Sequence, residues 1–305
     1  MRNAVMDSLY QLATDNSDVM LLTADLGFGV FEDFSLRFPD QYLNVGVAEQ
    51  NMMGIASGLA MEGKTVFTYS IGNFPTLRCL EQIRNDACYH ELNINIIASG
   101  GGFSYGGLGM SHHATEDLSI MRALPGVTVL APSSAWEAGM GVIALADYPG
   151  VGYLRIDKSI IEDPLLESEF QIGKARKLRE GDAVTIISTG GIAVEAIKAA
   201  EELKDVGLDC RVLSMHTIKP IDVQAICDAF CDTKGIVTVE ENTIIGGLGS
   251  AIAEVCIDMK FDVKRVVRIG MNDRYSSVVG GQEYLRGYYE MDKFAISSKI
   301  QNYFL

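Results

Sequence analysis

Cysteine, cationic side chains and long apolar runs are all scarce in this sequence of 305 residues, and each shortage excludes something. Six cysteines without a Cys-x-x-Cys pair give neither a disulfide scaffold nor zinc spacing. Cys227 and Cys231 lie four apart with no His or further Cys beside them, which reads as one side of a buried helix. Reduced thiols are the simpler reading, and they fit a cytoplasmic protein. Lys and Arg number 25 against 40 Asp and Glu, a net charge of −15. That balance argues against nucleic acid, which needs a cationic face, and against anionic membrane surfaces. An anionic substrate must then be held by local Arg, Lys, His or helix N-termini. No run reaches 18 apolar residues, so no transmembrane helix is expected, and the first residues carry an early acid rather than a signal-peptide core. Low-complexity tracts and close internal repeats are also missing.

What is present is an ordinary globular composition, 48% apolar and 21% charged, long enough for two domains with sizeable cores. Strand-like segments at 18–26, 65–71, 94–99, 127–131 and 151–156 alternate with helix-like segments at 47–62, 75–90, 115–124 and 134–147. Residues 157–174 hold Pro164, several acids and little periodicity, and read as a linker. A second alternating set follows: strands at 183–189, 210–215, 235–240 and 263–269, helices at 192–205, 222–231 and 249–259, and a helical tail at 282–303. The expected fold is therefore α/β, two domains at 1–158 and 175–305 joined by 159–174, each a mostly parallel sheet covered by helices on both faces. Ligands bind outside the carboxyl ends of such strands, which directs attention to 25–29, 46–49, 70–74, 99–113 and Arg155.

The strongest chemical signal is the run from Gly46 to Ala60, GVAEQNMMGIASGLA, with Glu49 in the first turn of an apolar helix. A dipole-compensating Glu is the plain reading. The flanks are almost all apolar or small, however, so the carboxylate should be partly desolvated, which raises its pKa and suits proton exchange with a bound base. Tyr69 and Phe74 end a strand and start a helix; core packing is the plain reading for both. His112 and His113 follow a glycine-rich loop at 100–109, and adjacent residues point apart, so a metal pair is not expected. Two further glycine clusters, 190–191 and 246–249, match neither a P-loop nor GxGxxG.

The run around Glu49 resembles the pyrimidine-binding domain of thiamine diphosphate enzymes of the transketolase family, whose motif reads close to VG-[VI]-AEQNM-GIA-GLA. LSIMRALP at 118–125, VLAPS at 129–133, VTIISTGGIAV at 184–194 and VTVEENTIIGGLGSA at 237–251 resemble later family segments in the right order. The resemblance covers nearly the whole chain but only part of a full transketolase. The family's GDG motif, followed by an Asn, is missing: Gly181-Asp182 runs straight into a strand. The resemblance thus implies the C-terminal subunit of a split transketolase. A partner chain would carry the diphosphate and its Mg2+ or Ca2+, in an α2β2 heterotetramer built on a homodimer of this chain.

It also implies roles. Glu49 would hydrogen-bond N1′ of the aminopyrimidine and favour its imino tautomer, as the one buried carboxylate with no cation neutralising it. Phe74 would stack on the pyrimidine, with Tyr69 as a neighbour and Asp25 near the cofactor. His112 falls on the family's donor-site His and would stabilise or protonate a developing alkoxide. Arg155 matches an Arg that holds the substrate's terminal phosphate, though an exposed strand-end Arg is the plain reading; Arg2 matches a second phosphate-binding Arg. Three positions depart from the family: Leu108 for a hydroxyl-reading Asp, Gly100 for a phosphate-contacting His, and Gly29 for a phosphate-contacting Ser. These departures point to a modified or nucleotide-linked sugar in two-carbon ketol transfer. The β subunit of a 2-oxo acid dehydrogenase, a relative of deoxyxylulose-phosphate synthase, and a non-catalytic stabilising subunit remain as alternatives.

Overall fold

Alternating apolar strands and amphipathic helices build two parallel-sheet layers, seen here in a computed structural model that describes residues 1–27, 29–162 and 169–305. The first half contains α1 (Arg2–Asp15), β1 (Val19–Thr23), α2 (Glu32–Arg37), β2 (Tyr42–Asn44), α3 (Glu49–Met61), β3 (Thr65–Ile71), the single turn α4 (Leu80–Gln82), β4 (Ile94–Ser99), α5 (Asp117–Ala123), β5 (Val127–Leu130), α6 (Ala135–Ala146) and β6 (Val151–Ile156). The second half contains β7 (Arg176–Arg179), β8 (Thr185–Thr189), α7 (Ala193–Lys204), β9 (Arg211–Ser214), β10 (Thr217–Lys219), α8 (Val223–Asp232), β11 (Ile236–Thr243), α9 (Leu248–Asp258), β12 (Val266–Met271), α10 (Gln282–Tyr288) and α11 (Lys293–Phe304).

The sheets have seven and five strands, in the orders β10-β5-β6-β4-β3-β1-β2 and β12-β11-β8-β9-β7. Every pairing is parallel except those of the edge strands β10 and β7. β10 follows β9 in the chain yet closes the edge of the first sheet against β5, so the second half of the sequence completes the first sheet. The two domains are therefore stitched by backbone pairing as well as by side chains.

Alternation along the strands fills both faces. Met20, Leu22 and Val66 face α3, where Met52, Met53 and Ala56 are fully buried. Val19, Leu21 and Phe67 face the opposite layer, where α1 supplies Val5 and Leu9 and α6 supplies Ala138 and Val142. Truncating a buried Met of α3 costs about 2–5 kcal/mol, so the helix that starts at Glu49 is anchored by its own first two turns. In the second domain Ile186 and Val237 pack under α7 and α11, while Ile187 and Ile236 pack under α8 and α9.

Several local expectations change. The segment 75–90 is not one helix: a 3-10 turn at Leu77–Cys79, α4 and a π-helical stretch at Ile83–Cys88 follow one another. The tail 282–303 breaks after α10, where Glu290 adopts φ 56° and Asp292 caps α11 by accepting the Ala295 N–H. Cys231 is exposed, because α8 buries Ile226, Ala229 and Phe230 instead of its cysteines; all six thiols are free. Of the expected linker, 163–168 with Pro164 lies outside the described residues. No helix among the described residues is long and apolar enough to cross a membrane.

Candidate active site

Glu49 opens α3, and its side chain turns inward until only 1% remains exposed. The carboxylate meets the end of β3, where the Ser70 hydroxyl donates to Oε1 at 3.3 Å. Oε2 accepts from Arg78 Nη1 at 2.8 Å. The expectation of an un-neutralised carboxylate is therefore corrected: Arg78 is paired with it. Arg78 arrives from the 3-10 turn after β3, 29 residues away, and is 45% exposed. Its guanidinium carbon lies 4.4 Å from the centre of the Phe74 ring. On another side, Phe74 meets the His112 ring edge-on at 5.3 Å. Glu49, Arg78, Phe74 and His112 thus form one contiguous chain of contacts at the carboxyl ends of the strands.

His112 ends a 3-10 turn at Met110–His112, is half-buried, and shares a 3.0 Å hydrogen bond between Nδ1 and the Ser111 hydroxyl. Its neighbour His113 turns the other way. There burial pushes its pKa down, and Nε2 lies 3.2 Å from the Gly106 carbonyl. A neutral buried imidazole held in this way supports the loop, leaving His112 as the ring that faces the site. Cys79 lies under Glu49; burial first, then the Glu49 charge, pushes its thiol up to about 12, so it is no nucleophile.

The other expected residues separate. Tyr69 is one residue before Ser70, so strand alternation sends it to the opposite face of the sheet. It packs edge-on to Phe31 at 4.8 Å and is not beside Glu49. Burial raises its pKa, partly offset by a hydrogen bond with Ser99. Asp25 sits at φ 53° after β1; Asn44 donates to its carboxylate at 3.2 Å and accepts the Gly46 N–H at 3.0 Å. It lines a separate cleft of about 170 Å³ and steadies the turn that leads into Glu49.

Arg155 is the second correction. It is 3% exposed, with Nη1 on Asp117 at 3.1 Å and Nη2 on the Glu241 carbonyl at 2.8 Å. Asp117 also accepts from the Tyr153 hydroxyl at 2.6 Å. With both Nη groups on these partners and Nε buried without one, the guanidinium is not presented to a substrate phosphate. Instead it ties β6 to α5 and β11, directly behind the glycine loop.

Arg2 lies in a cavity of about 460 Å³ lined also by Ser99, Gly100, Tyr105, Asp157 and Lys158, at the ends of β4 and β6. Lys158 carries no motif that would have singled it out in the sequence; its Nζ sits 4.3 Å over the Tyr105 ring. Gly100, at φ 91°, has no space for a side chain, since a Cβ there would lie 2.1 Å from a Tyr105 ring carbon. Tyr105 thus occupies the volume that a residue at position 100 would otherwise fill. Leu108 and Gly29 are exposed, and Gly29 donates its N–H to Glu32 at 2.7 Å. Two cations, Arg2 and Lys158, face one acid, Asp157, so this cavity can hold an anionic group.

Residues 1–162 match the family described as "Transketolase, pyrimidine binding domain", and residues 173–286 match "Transketolase, C-terminal domain". The chain is 35% identical over 298 residues to one of the subunits of the apulose-4-phosphate transketolase of Phocaeicola vulgatus, covering 97% of this chain and 94% of that protein. It is 36% identical over 301 residues to the SqwH subunit of the 6-deoxy-6-sulfo-D-fructose transketolase of a Clostridium species, covering 98% and 91%. A solved structure described as "Split gene transketolase, inactive beta4 tetramer" matches with a TM-score of 0.89 at 34% identity, covering 99% of this chain and 97% of that one.

Proposed function

The chain belongs to the transketolase family, and on that premise we propose that it is the C-terminal subunit of a split transketolase-like enzyme. It passes a two-carbon ketol unit from a ketose donor to an aldehyde acceptor and depends on thiamine diphosphate. The observation that carries this reading is the Glu49 carboxylate, shielded from water and linked through Arg78 to Phe74 and His112.

These residues fit the aminopyrimidine half of the cofactor. Glu49 offers a buried acceptor oxygen and Phe74 an aromatic ring; the exposed apolar Val47, Leu77 and Met110 neighbour Glu49, Phe74 and His112 in the chain. The bound cofactor supplies the carbanion chemistry; the protein supplies orientation and tautomer control. Glu49 holds the proton at the pyrimidine ring nitrogen. His112 donates to the substrate oxygen on which charge develops. Arg2 and Lys158 fix the anionic end of the sugar. No three His, Cys, Asp or Glu side chains are grouped to hold a metal among the described residues. We assign the metal and the diphosphate to a partner chain, in a complex with two copies of each. The division at 1–158 and 175–305 belongs to the same reading.

Two features support a modified sugar as donor. Gly100 and Gly29 carry no side chain for a phosphate, and the relatives named above act on apulose 4-phosphate and a deoxy-sulfo-fructose. The test is reconstitution with a chain carrying the GDG and Asn signature, followed by turnover of xylulose 5-phosphate, sulfo-ketoses and deoxy-ketoses. Faster ketol transfer from a modified ketose is expected. Efficient use of ordinary pentose phosphates removes the modified-sugar part, and release of carbon dioxide from pyruvate without ketol transfer removes the reading itself.

A further inference from the structure

We infer that Arg78 is a displaceable counter-ion: it holds the site carboxylate in the free chain and must leave that oxygen when the aminopyrimidine binds. The inference rests on the reading of Glu49 as the pyrimidine-binding carboxylate.

The geometry has three parts. Oε1 of Glu49 points inward to the Ser70 hydroxyl at the end of β3, at 3.3 Å, near the outer limit of a hydrogen bond. Oε2 is the better satisfied oxygen, and its donor is the part-exposed guanidinium of Arg78. Among the described residues the Arg78 side chain has no other ion-pair or hydrogen-bond partner, and its guanidinium lies over the face of Phe74. It therefore shields a buried charge while standing half in solvent, on a short turn rather than inside a long helix.

A carboxylate buried without a partner is costly, which accounts for a cation here. A ring nitrogen that hydrogen-bonds the same oxygen needs the place that Nη1 holds. With Oε1 turned to Ser70, Oε2 is the oxygen left to meet the ring, and a guanidinium paired with it draws off the charge that a ring nitrogen would hydrogen-bond. Because Arg78 is part-exposed and otherwise only stacked on Phe74, it can pivot outward with Phe74 left in place. The consequence is a trade: Arg78 steadies the chain before it is loaded and weakens its grip on the pyrimidine. Arg78 acts through Glu49 and is thus a positioning residue.

The full chain is titrated by calorimetry with 4-amino-5-hydroxymethyl-2-methylpyrimidine, which carries no diphosphate and needs no metal. Arg78→Met is expected to bind it about 5-fold more tightly than the wild type, the effect of losing a part-exposed ion pair that competes with the ligand. Its melting temperature without ligand should fall. Arg78→Gln, which keeps a donor and loses the charge, gives the same direction and serves if the methionine variant fails to fold. Weaker binding, or binding unchanged, in both arginine variants overturns the inference and leaves Glu49's role standing. Glu49→Gln is the separate control: its binding should be lost, and retention of wild-type affinity there overturns the functional reading itself. No binding to the wild type or to either arginine variant contradicts both.

Discussion

Glu49 and Glu241 are equally buried, each about 1% exposed, yet they are satisfied in opposite ways. Glu241, on β11, receives the Phe103 N–H at 2.5 Å, Gln282 Nε2 at 3.0 Å and Arg286 Nε at 2.6 Å. Arg286 is itself 1% exposed. Burial tends to push the Glu241 pKa up, and the Arg286 charge opposes this. Every one of these donors is fixed by secondary structure or by another buried group, so the network clamps the glycine loop to the second domain. Glu49 has one long hydrogen bond and one arginine that stands half in water. A carboxylate that must meet a ligand cannot have all its donors locked, whereas one that must hold two domains together should. On the proposed function, the same residue type at the same burial serves structure in one place and chemistry in the other, according to whether its counter-charge can leave.

The contrast can be broken from either side. On the structural side, Glu241→Ala should destabilise the chain by about 3–5 kcal/mol in denaturant unfolding, since it takes from the buried Arg286 its hydrogen-bonded carboxylate and leaves only Asp157 at 4.0 Å. A loss below about 1 kcal/mol means that the clamp does not hold. The adjacent Glu240 sharpens the point through pH. Burial, opposed by the N–H groups of Gly249 and Leu248, pushes its pKa up to about 7. A folded-state value above the unfolded one means that the folded chain binds the proton more tightly. Stability from this group is therefore complete below the unfolded carboxyl range and is lost as pH rises through 7. Between pH 5 and 8 the wild type should lose about 3 kcal/mol relative to Glu240→Gln. Parallel curves for the two proteins would remove the effect.

On the functional side, His112→Asn should lower kcat of the reconstituted complex about 100-fold, as expected for a lost proton donor. Its unfolding curve should stay on that of the wild type. A loss of stability equal to the loss of rate would move His112 to the structural class. Smallest of all, Lys158→Met should raise KM for an anionic sugar about 10-fold, the loss of one charged hydrogen bond, and leave an uncharged analogue unaffected. Equal effects on both substrates would mean that Lys158 shapes the cavity without reading charge.

The fold and the acidic centre were legible because both are written locally. Strand and helix periods run through consecutive residues, and Glu49 sits inside a contiguous motif whose residues are almost all small or apolar. Arg78 was not legible, because the turn after β3 carries it back to a carboxylate 29 positions earlier. The fate of Arg155 depended on Asp117 and on Glu241, 38 and 86 positions away, which the sheets bring behind the same loop. Strand parity could have removed Tyr69 from the site, since Ser70 and Tyr69 must face opposite sides of β3. The edge strand β10 escaped notice because three residues closing a sheet from another domain leave no periodic trace.

The central claim is that Glu49 acts on a bound aminopyrimidine, and hydrogen–deuterium exchange at the thiazolium C2 of thiamine diphosphate tests it without knowledge of the sugar. In the reconstituted complex, Glu49→Gln should slow that exchange at least ~100-fold, with the complex intact by size-exclusion chromatography. Exchange at the wild-type rate in that variant would contradict the account.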